Sequence, residues 1–416
     1  MDEREPIVIT GIGMIASVGQ DRESVWQAVQ AGQSGVHALV GMQGIEDGTL
    51  IGAPVDLEAE YLGQLKPIAL CQRAAEEALA DATIDWTDVD RDRFGCAISG
   101  HMGDTNWIAS LSERYDLVLP HVVPWWHQWM PNTACWLVAN RYGLNGPRMC
   151  HSTACASGLI DILAAVRAIR DEQCDIALAG SAEGLHPLFA AGFRQMRVLA
   201  QHADPTQACR PFDIDRCGFV MGEGSAMFVL ERLSHAQRRG AKIYAQLVSG
   251  KMLAEAHHVT GLDEESAALA YLINATLRDA RLSPTDIAYI NAHGTGTQQN
   301  DLVETRGIRR AFGAAADATC VSATKSMLGH LVNAAGSVEL AITTLALRDG
   351  YVPPTINLDH PDPACDLDCV PLVGRRLAFE HALKVSVAFG GHLAAATIRR
   401  WDGPNAVASR DGQRAA

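Results

Sequence analysis

The chain has 416 residues, 48% hydrophobic and 20% charged, with a net charge of −14 at neutral pH. This composition is that of an ordinary globular protein; the acidic balance argues against a nucleic-acid partner and requires a local basic patch for any acidic one. No run approaches the ~18 consecutive apolar residues of a membrane helix. The start, Met1-Asp2-Glu3-Arg4-Glu5-Pro6, lacks a basic segment followed by an apolar one, so no secretory signal is expected. Eleven cysteines without a disulfide rhythm, odd in number, suggest reduced, buried thiols in the cytoplasm. Cys365 and Cys369 have no second ligand pair at zinc spacing, so no metal is expected.

In chain order, Ile7-Val8-Ile9-Thr10 reads as a strand, which Gly11 and Gly13 turn into a small loop lacking the full GxGxxG spacing. Asp21 and Glu23 open a helix that carries Val25, Val29 and Trp26 inward. An Ala-rich helix over 69–82 and a short buried strand, Phe94–Gly100, follow. Trp107, Trp125, Trp126, Trp129 and Trp136 make an aromatic-dense region of the kind found in packed cores and subunit interfaces. Asp175–Gly180 is a strand, Gly218–Gly224 a glycine-rich turn and Ser225–Leu230 another strand. The alternation then restarts. Strands are expected at Tyr244–Val248, Ile287–Asn291, Cys320–Ser322 and Lys384–Ala388, with helices over 265–280, 301–312 and 331–348. Two successive βα halves, 1–240 and 241–402, indicate a duplicated α/β architecture with buried central sheets, and 403–416 read as a disordered tail.

Four places carry residues suited to chemistry. At Met149-Cys150-His151-Ser152-Thr153-Ala154-Cys155 an apolar run ends, and Leu159, Ile162, Leu163, Val166 and Ile169 then recur at helical spacing. Cys155 therefore stands at the first turn of a buried helix, where free N–H groups and the helix dipole favour a thiolate. Asn291-Ala292-His293-Gly294-Thr295-Gly296-Thr297 lies at a strand end, as do Ser322-Ala323-Thr324-Lys325 with His330, and Phe389-Gly390-Gly391-His392. A lone strand-end histidine is most often structural. Three such clusters with a helix-start cysteine are the pattern of an active site on the rim of an α/β sheet.

The chain resembles the β-ketoacyl-acyl carrier protein synthases (ketosynthases) of the thiolase superfamily, nearest the elongating synthase II group. The resemblance is carried by Thr153-Ala154-Cys155-Ala156-Ser157-Gly158, Arg210-Pro211-Phe212-Asp213, Gly218–Gly224, His293-Gly294-Thr295-Gly296-Thr297 with Asp301, Lys325-Ser326-Met327 with Gly329-His330, and Pro353–Leu358. It covers nearly the whole chain and implies a thiolase-like fold, layered α-β-α-β-α. Gln298-Gln299-Asn300-Asp301 and the shortened segment Pro131–Gly143 look more like the type II polyketide branch. The family often has Thr-Asn where this chain has His392-Leu393, and His101, Met102 and Asp104 replace a Gly-rich apolar loop beside the acyl pocket.

The resemblance implies that Cys155 carries the acyl chain as a thioester and that His293 and His330, as neutral N–H donors, stabilise the enolate formed when malonyl-carrier protein loses CO2. It further implies that Lys325, paired with Glu339, orients the histidines, and that the N–H groups of Cys155 and Phe389 form the oxyanion hole. Thr295 and Thr297 would bind phosphopantetheine, and Phe389 with Gly390 and Gly391 would gate the acyl pocket. No bound cofactor is implied, since the phosphopantetheine arrives on acyl carrier protein, with acyl and malonyl thioesters as substrates. A homodimer is implied as well. Fatty-acid elongation leads, with a dedicated polyketide or specialised-lipid pathway as the alternative. A non-catalytic, chain-length-factor-like partner is disfavoured by the presence of Cys155, and an acyltransferase without decarboxylation by the presence of both histidines. Arg194 with Arg197, or Lys66 with Arg73, are candidates for carrier docking.

Overall fold

Strand β1 spans Ile7–Ala16 without a break, and all ten of its residues are buried. The expected turn at Gly11 and Gly13 does not occur. These glycines face helix α2 (Lys66–Asp81) instead: a Cβ on Gly11 would lie 2.3 Å from the Ala78 carbonyl oxygen, and one on Gly13 1.9 Å from that of Ala74. They let a helix backbone rest directly on a strand. Helix α1 (Arg22–Gln30) starts where expected, with the Asp21 carboxylate accepting from the N–H groups of Glu23 and Ser24. The computed structural model describes residues 5–42, 45–57, 64–100, 128 and 130–403. His101, Met102, Asp104, Trp107, Trp125, Trp126, Trp129 and the tail from 404 lie outside the described residues, whereas Trp136 sits on the helix Thr133–Tyr142 and is exposed.

The main sheet has nine further strands among the described residues: β2 (Phe94–Gly100), β3 (Arg148–Met149), β4 (Ile176–Glu183), β5 (Gly224–Arg232), β6 (Ala245–Ala254), β7 (Ile287–Asn291), β8 (Cys320–Ser322), β9 (His381–Ala388) and β10 (His392–Arg400). Their order is β8-β7-β9-β10-β6-β1-β5-β4-β2-β3. The second five repeat the order of the first five, strand for strand. The pairing senses repeat too: β1/β5 and β5/β4 are antiparallel and β4/β2 and β2/β3 parallel, as are β6/β10, β10/β9, β9/β7 and β7/β8 in turn. Among the described residues, the strand pairs Ile7 with Leu247, Val8 with Gln246 and Ile9 with Ala245 join the two sets. β10 is absent from the expected elements. It returns from β9 through the Phe389–Gly391 turn as a hairpin, with Gly390 and Gly391 at φ +80° and +75°.

Helix α3 (Ser157–Arg170) follows β3, and α6 (Ala335–Asp349) occupies the equivalent place after β8. They pack on each other between the two sets of strands, and Ala335 through Leu347 are all buried. A helix buried on every side belongs in such an inner layer. Helix α2 covers the first set from outside, while α4 (Ala267–Ala280) covers the second and α5 (Gln298–Phe312) packs against α4. This gives the layers α-β-α-β-α. Gly218–Gly224 is not a simple turn, because Met221–Gly222 pairs with Ile51–Ala53 and the Gly222 N–H donates to the His330 carbonyl at 3.0 Å. That contact ties the first half to a loop of the second.

Candidate active site

Cys155 lies in a single 3-10 turn, Ala154–Ala156, immediately before α3. Ala154 is held at φ +47°, a region that costs an ordinary residue about 1–3 kcal/mol. The Ser157 hydroxyl fastens this turn by accepting from the Thr153 N–H at 2.8 Å and donating to the Ala154 carbonyl at 2.8 Å. Next, Gly158 lets α3 approach α6: a Cβ there would lie 2.1 Å from Ser181 Oγ and 3.0 Å from the Ser337 nitrogen. The inner-layer helices thus meet at their N-terminal ends, directly behind the thiol.

His330 Nε2 is 3.1 Å from Cys155 Sγ. Its Nδ1 accepts from the Val332 N–H at 3.2 Å, which assigns the ring hydrogen to Nε2, facing the sulfur. Val332 makes that bond from φ +38°, a strained conformation for a β-branched residue. His293 meets His330 edge to face, with ring centroids 5.2 Å apart. Its Nδ1 lies 3.4 Å from the Lys325 ammonium, which can only donate, so its ring hydrogen is also on Nε2. Cys155 Sγ and one nitrogen from each imidazole all lie within 4.8 Å of one another. A single reacting group can touch all three. The trio also has the spacing of a soft-metal site, but Lys325 and Lys384 behind it place fixed positive charge against a dication.

The electrostatics of the trio follow from burial. His293 is held well below the usual imidazole range by desolvation, then by Lys325, His330 and Lys384; desolvation, Lys325 and Lys384 do the same to His330. Both rings are neutral at neutral pH. Burial also pushes the Cys155 thiol up to about 12, with Lys325 pulling the other way and Glu183 adding to the rise. The resting group is therefore a thiol, not the thiolate expected of a helix start. The difference has a plain cause: Cys155 is only 7% exposed, and losing water outweighs the helix-end amides.

Lys325, on the short helix Lys325–Leu328, donates to Glu339 on α6 and to the His293 carbonyl. The second Glu339 oxygen lies 2.7 Å from the ammonium of Lys384 on β9. Lys384 was not among the expected site residues. Its signal was nevertheless there, since a lysine inside the apolar run Ala382-Leu383-Lys384-Val385 is almost never fully buried without a partner. Glu304 was missed as well. Its carboxylate accepts from the N–H groups of His293 and Gly294 at 2.6 and 2.7 Å, while Asp301 accepts from those of Thr295 and Gly296 at 3.1 and 3.2 Å. Two acids of α5 thereby fix the whole His293–Gly296 loop.

A cavity of about 260 Å³ opens onto the trio. Thr295, Thr297, Gln299 and Asn300 line one wall, and the Thr295 and Thr297 hydroxyls are 2.9 Å apart. Phe193, Met196, Val198, Phe219, Leu262 and Val387 line an apolar side, with Phe389 between. The Phe389–Gly391 turn packs against the Cys155 turn. It is clasped from above: the Gly390 N–H donates to the Val259 carbonyl and the Glu255 N–H to that of Gly391, each at 2.7 Å. Arg194 and Arg197 are exposed and flank the cavity-lining Met196 in sequence. Lys66 forms an ion pair with the buried Glu223.

Residues 4–236 match the family described as the beta-ketoacyl synthase N-terminal domain, and residues 244–359 its C-terminal domain. The 3-oxoacyl-[acyl-carrier-protein] synthase 2 of Coxiella burnetii is 37% identical over 407 residues, covering 94% of this chain and 97% of that protein. The tetracenomycin polyketide synthase ketoacyl synthase alpha subunit of Streptomyces glaucescens is 36% identical, covering 95% and 97%. Among solved structures, a type II polyketide synthase acyl-carrier protein in complex with its ketosynthase, bound to the hexaketide, superposes with a TM-score of 0.87 at 32% identity, covering 96% of this chain and all of that one. A fold with the same layers, a cysteine under two neutral imidazoles and matches along almost its whole length place this chain in the β-ketoacyl synthase family.

Proposed function

We propose that this condensing enzyme extends an acyl group held on Cys155 by the two-carbon unit of malonyl-carrier protein. One observation carries the reading: a thiol and two neutral Nε2–H imidazoles share a single reacting point at the floor of an apolar cavity. Cys155 sulfur attacks the acyl thioester, its proton passes to the departing pantetheine sulfur, and the acyl-enzyme forms. Malonyl thioester then enters along the Thr295–Thr297 wall. Its carboxylate leaves as CO2, and the electron pair of the broken bond becomes an enolate whose oxygen accepts from His293 and His330. The enolate carbon attacks the acyl carbonyl, whose oxygen charge is met by the N–H groups of Cys155 and Phe389. Collapse expels the Cys155 sulfur as a thiolate, which takes a proton from water. Lys325 and Glu339 hold the imidazoles in place. Gly390 and Gly391 give the Phe389 turn the freedom to gate the acyl chain.

In this reading nothing but the carrier's phosphopantetheine is needed as a prosthetic group, and the enzyme works as a cytoplasmic homodimer. Its eleven free cysteines and the lack of any membrane-length apolar helix among the described residues support that setting. Arg194 and Arg197, exposed on either side of the cavity-lining Met196, supply the basic contact for an acidic carrier protein. Fatty-acid elongation is the leading pathway. A polyketide role is favoured by Gln299 and Asn300 on the pantetheine wall, the segment that looks like that branch. The test offers acyl-carrier proteins of graded chain length with malonyl-carrier protein and reads products by mass. One β-ketoacyl product per saturated primer supports elongation, repeated unreduced extension supports the second reading, and no product with CO2 retained defeats both.

A further inference from the structure

Lys384 is a costly residue. It is wholly buried in a central strand whose neighbours Leu383 and Val385 are apolar, and desolvation pulls its ammonium down to about 8. Glu339 already has a cation, Lys325, on its other oxygen, so pairing alone does not require a second. An apolar side chain of the same length would fit the strand with less desolvation, and buried charges of this kind are weak contributors to stability. What the ammonium touches is specific. Besides Glu339 at 2.7 Å it reaches the carbonyls of Asn291 and Ala292, at 3.5 and 3.3 Å, and that of Val385. Asn291 and Ala292 are the two residues that lead into His293.

We infer that Lys384 is a positioning residue, a cation built into β9 that anchors the His293 segment and Glu339 together and keeps both active-site imidazoles in their neutral, donating form. The inference rests on the reading of His293 and His330 given above. The charged and titratable groups facing the two rings are Cys155 from the α3 turn, Lys325 from its short helix, Glu339 from α6, Glu304 and Asp301 from α5 through the His293 loop, and Lys384 from β9. Glu304 and Asp301 bond the N–H groups of the His293 loop, whereas Lys325 and Lys384 are the cations that bear on both rings. Protonating either imidazole there is opposed by charge that cannot move away.

The test is Lys384→Met, which keeps length and removes charge. The variant keeps the Lys325–Glu339 pair and is expected to fold, with a melting temperature measured beside the parent's. Imidazole NMR titration of the resting protein should place both ring midpoints higher than in the parent, by about half a unit or more. Decarboxylation of malonyl-carrier protein should fall about tenfold at pH 7, with its acid limb displaced upward, KM unchanged and methylammonium restoring part of the rate. Ring midpoints and acid limb that coincide with the parent's overturn the inference, whatever the rate. Should Lys384→Met not fold, Lys384→Gln is read the same way; if neither folds, Lys384 is a structural residue and the inference is wrong. A parent protein that releases no CO2 defeats the proposed function instead, while the ring titrations still judge Lys384.

Discussion

Replacing Glu339 by glutamine keeps its shape and removes the carboxylate that bridges Lys325 and Lys384, both at most 1% exposed. Two buried ammoniums then face one amide. Removing one partner of a buried ion pair costs about 3–5 kcal/mol, and we expect a loss of that order at pH 7. The loss must depend on pH. Lys384 already has a folded-state value of about 8, below the ~10.4 of an unfolded lysine, and without Glu339 it falls further. A folded-state value below the unfolded one means that the unfolded chain binds more protons between them, so stability rises with pH across that window. The window opens at lower pH in the variant than in the parent. Its deficit should therefore shrink by about 1 kcal/mol or more between pH 7 and pH 9, as Lys384 becomes neutral in both proteins. Denaturant unfolding followed by tryptophan fluorescence at the two pH values measures this. A deficit that is the same at both, or below about 1 kcal/mol at pH 7, refutes the reasoning that Glu339 is the countercharge of two lysines.

Cys155→Ala should accept no acyl group by intact mass, whereas His293→Ala and His330→Ala should still self-acylate but release CO2 from malonyl-carrier protein on the order of 100-fold more slowly or worse. With the thiol raised to about 12, alkylation of Cys155 by iodoacetamide should climb about tenfold per pH unit through pH 10; a plateau near pH 8 would show a resting thiolate. Because both imidazoles protonate well below the usual range, decarboxylation should hold its rate down through pH 6 and fail only in more acidic buffer, checked by CO2 release against pH. Gly391→Ala would bring a Cβ to 1.9 Å from the Glu255 carbonyl oxygen at φ +75°, so the Phe389 turn must shift. Acyl loading should slow at least about tenfold while malonyl decarboxylation changes less, measured by separate single-turnover assays.

The chemistry was more legible than the fold around it. Cys155, His293, Lys325 and His330 each carry a local signature, Glu339 entered only through the family resemblance, and the structure brings all five within one connected set of contacts. Lys384 escaped because its strand reads as ordinary core and its partner lies on a helix elsewhere in the chain. The protonation of Cys155 escaped for a related reason: the helix end is a local feature, but desolvation depends on everything packed over the thiol. Strand β10 was hidden by Leu393-Ala394-Ala395-Ala396, an alanine run that suits a helix by propensity and becomes a strand between β9 and β6 only through pairing. Gly11 and Gly13 read as a turn because glycine's freedom is a local property, whereas the contact with α2 that they permit is not.

The strained Val332 has a consequence for how protons are counted in the reaction. Its N–H occupies the lone pair of His330 Nδ1 from a backbone shape that folding alone would avoid. Were the ring hydrogen on Nδ1, a lone pair would face the developing enolate oxygen and repel it. The main chain thus acts as a polarity lock. His330 is wired as a fixed dipole with no second station to hand a proton to, and carbon–carbon bond formation should show no solvent isotope effect arising at this ring. Relaxing the backbone there would make the fold more comfortable and the imidazole ambiguous.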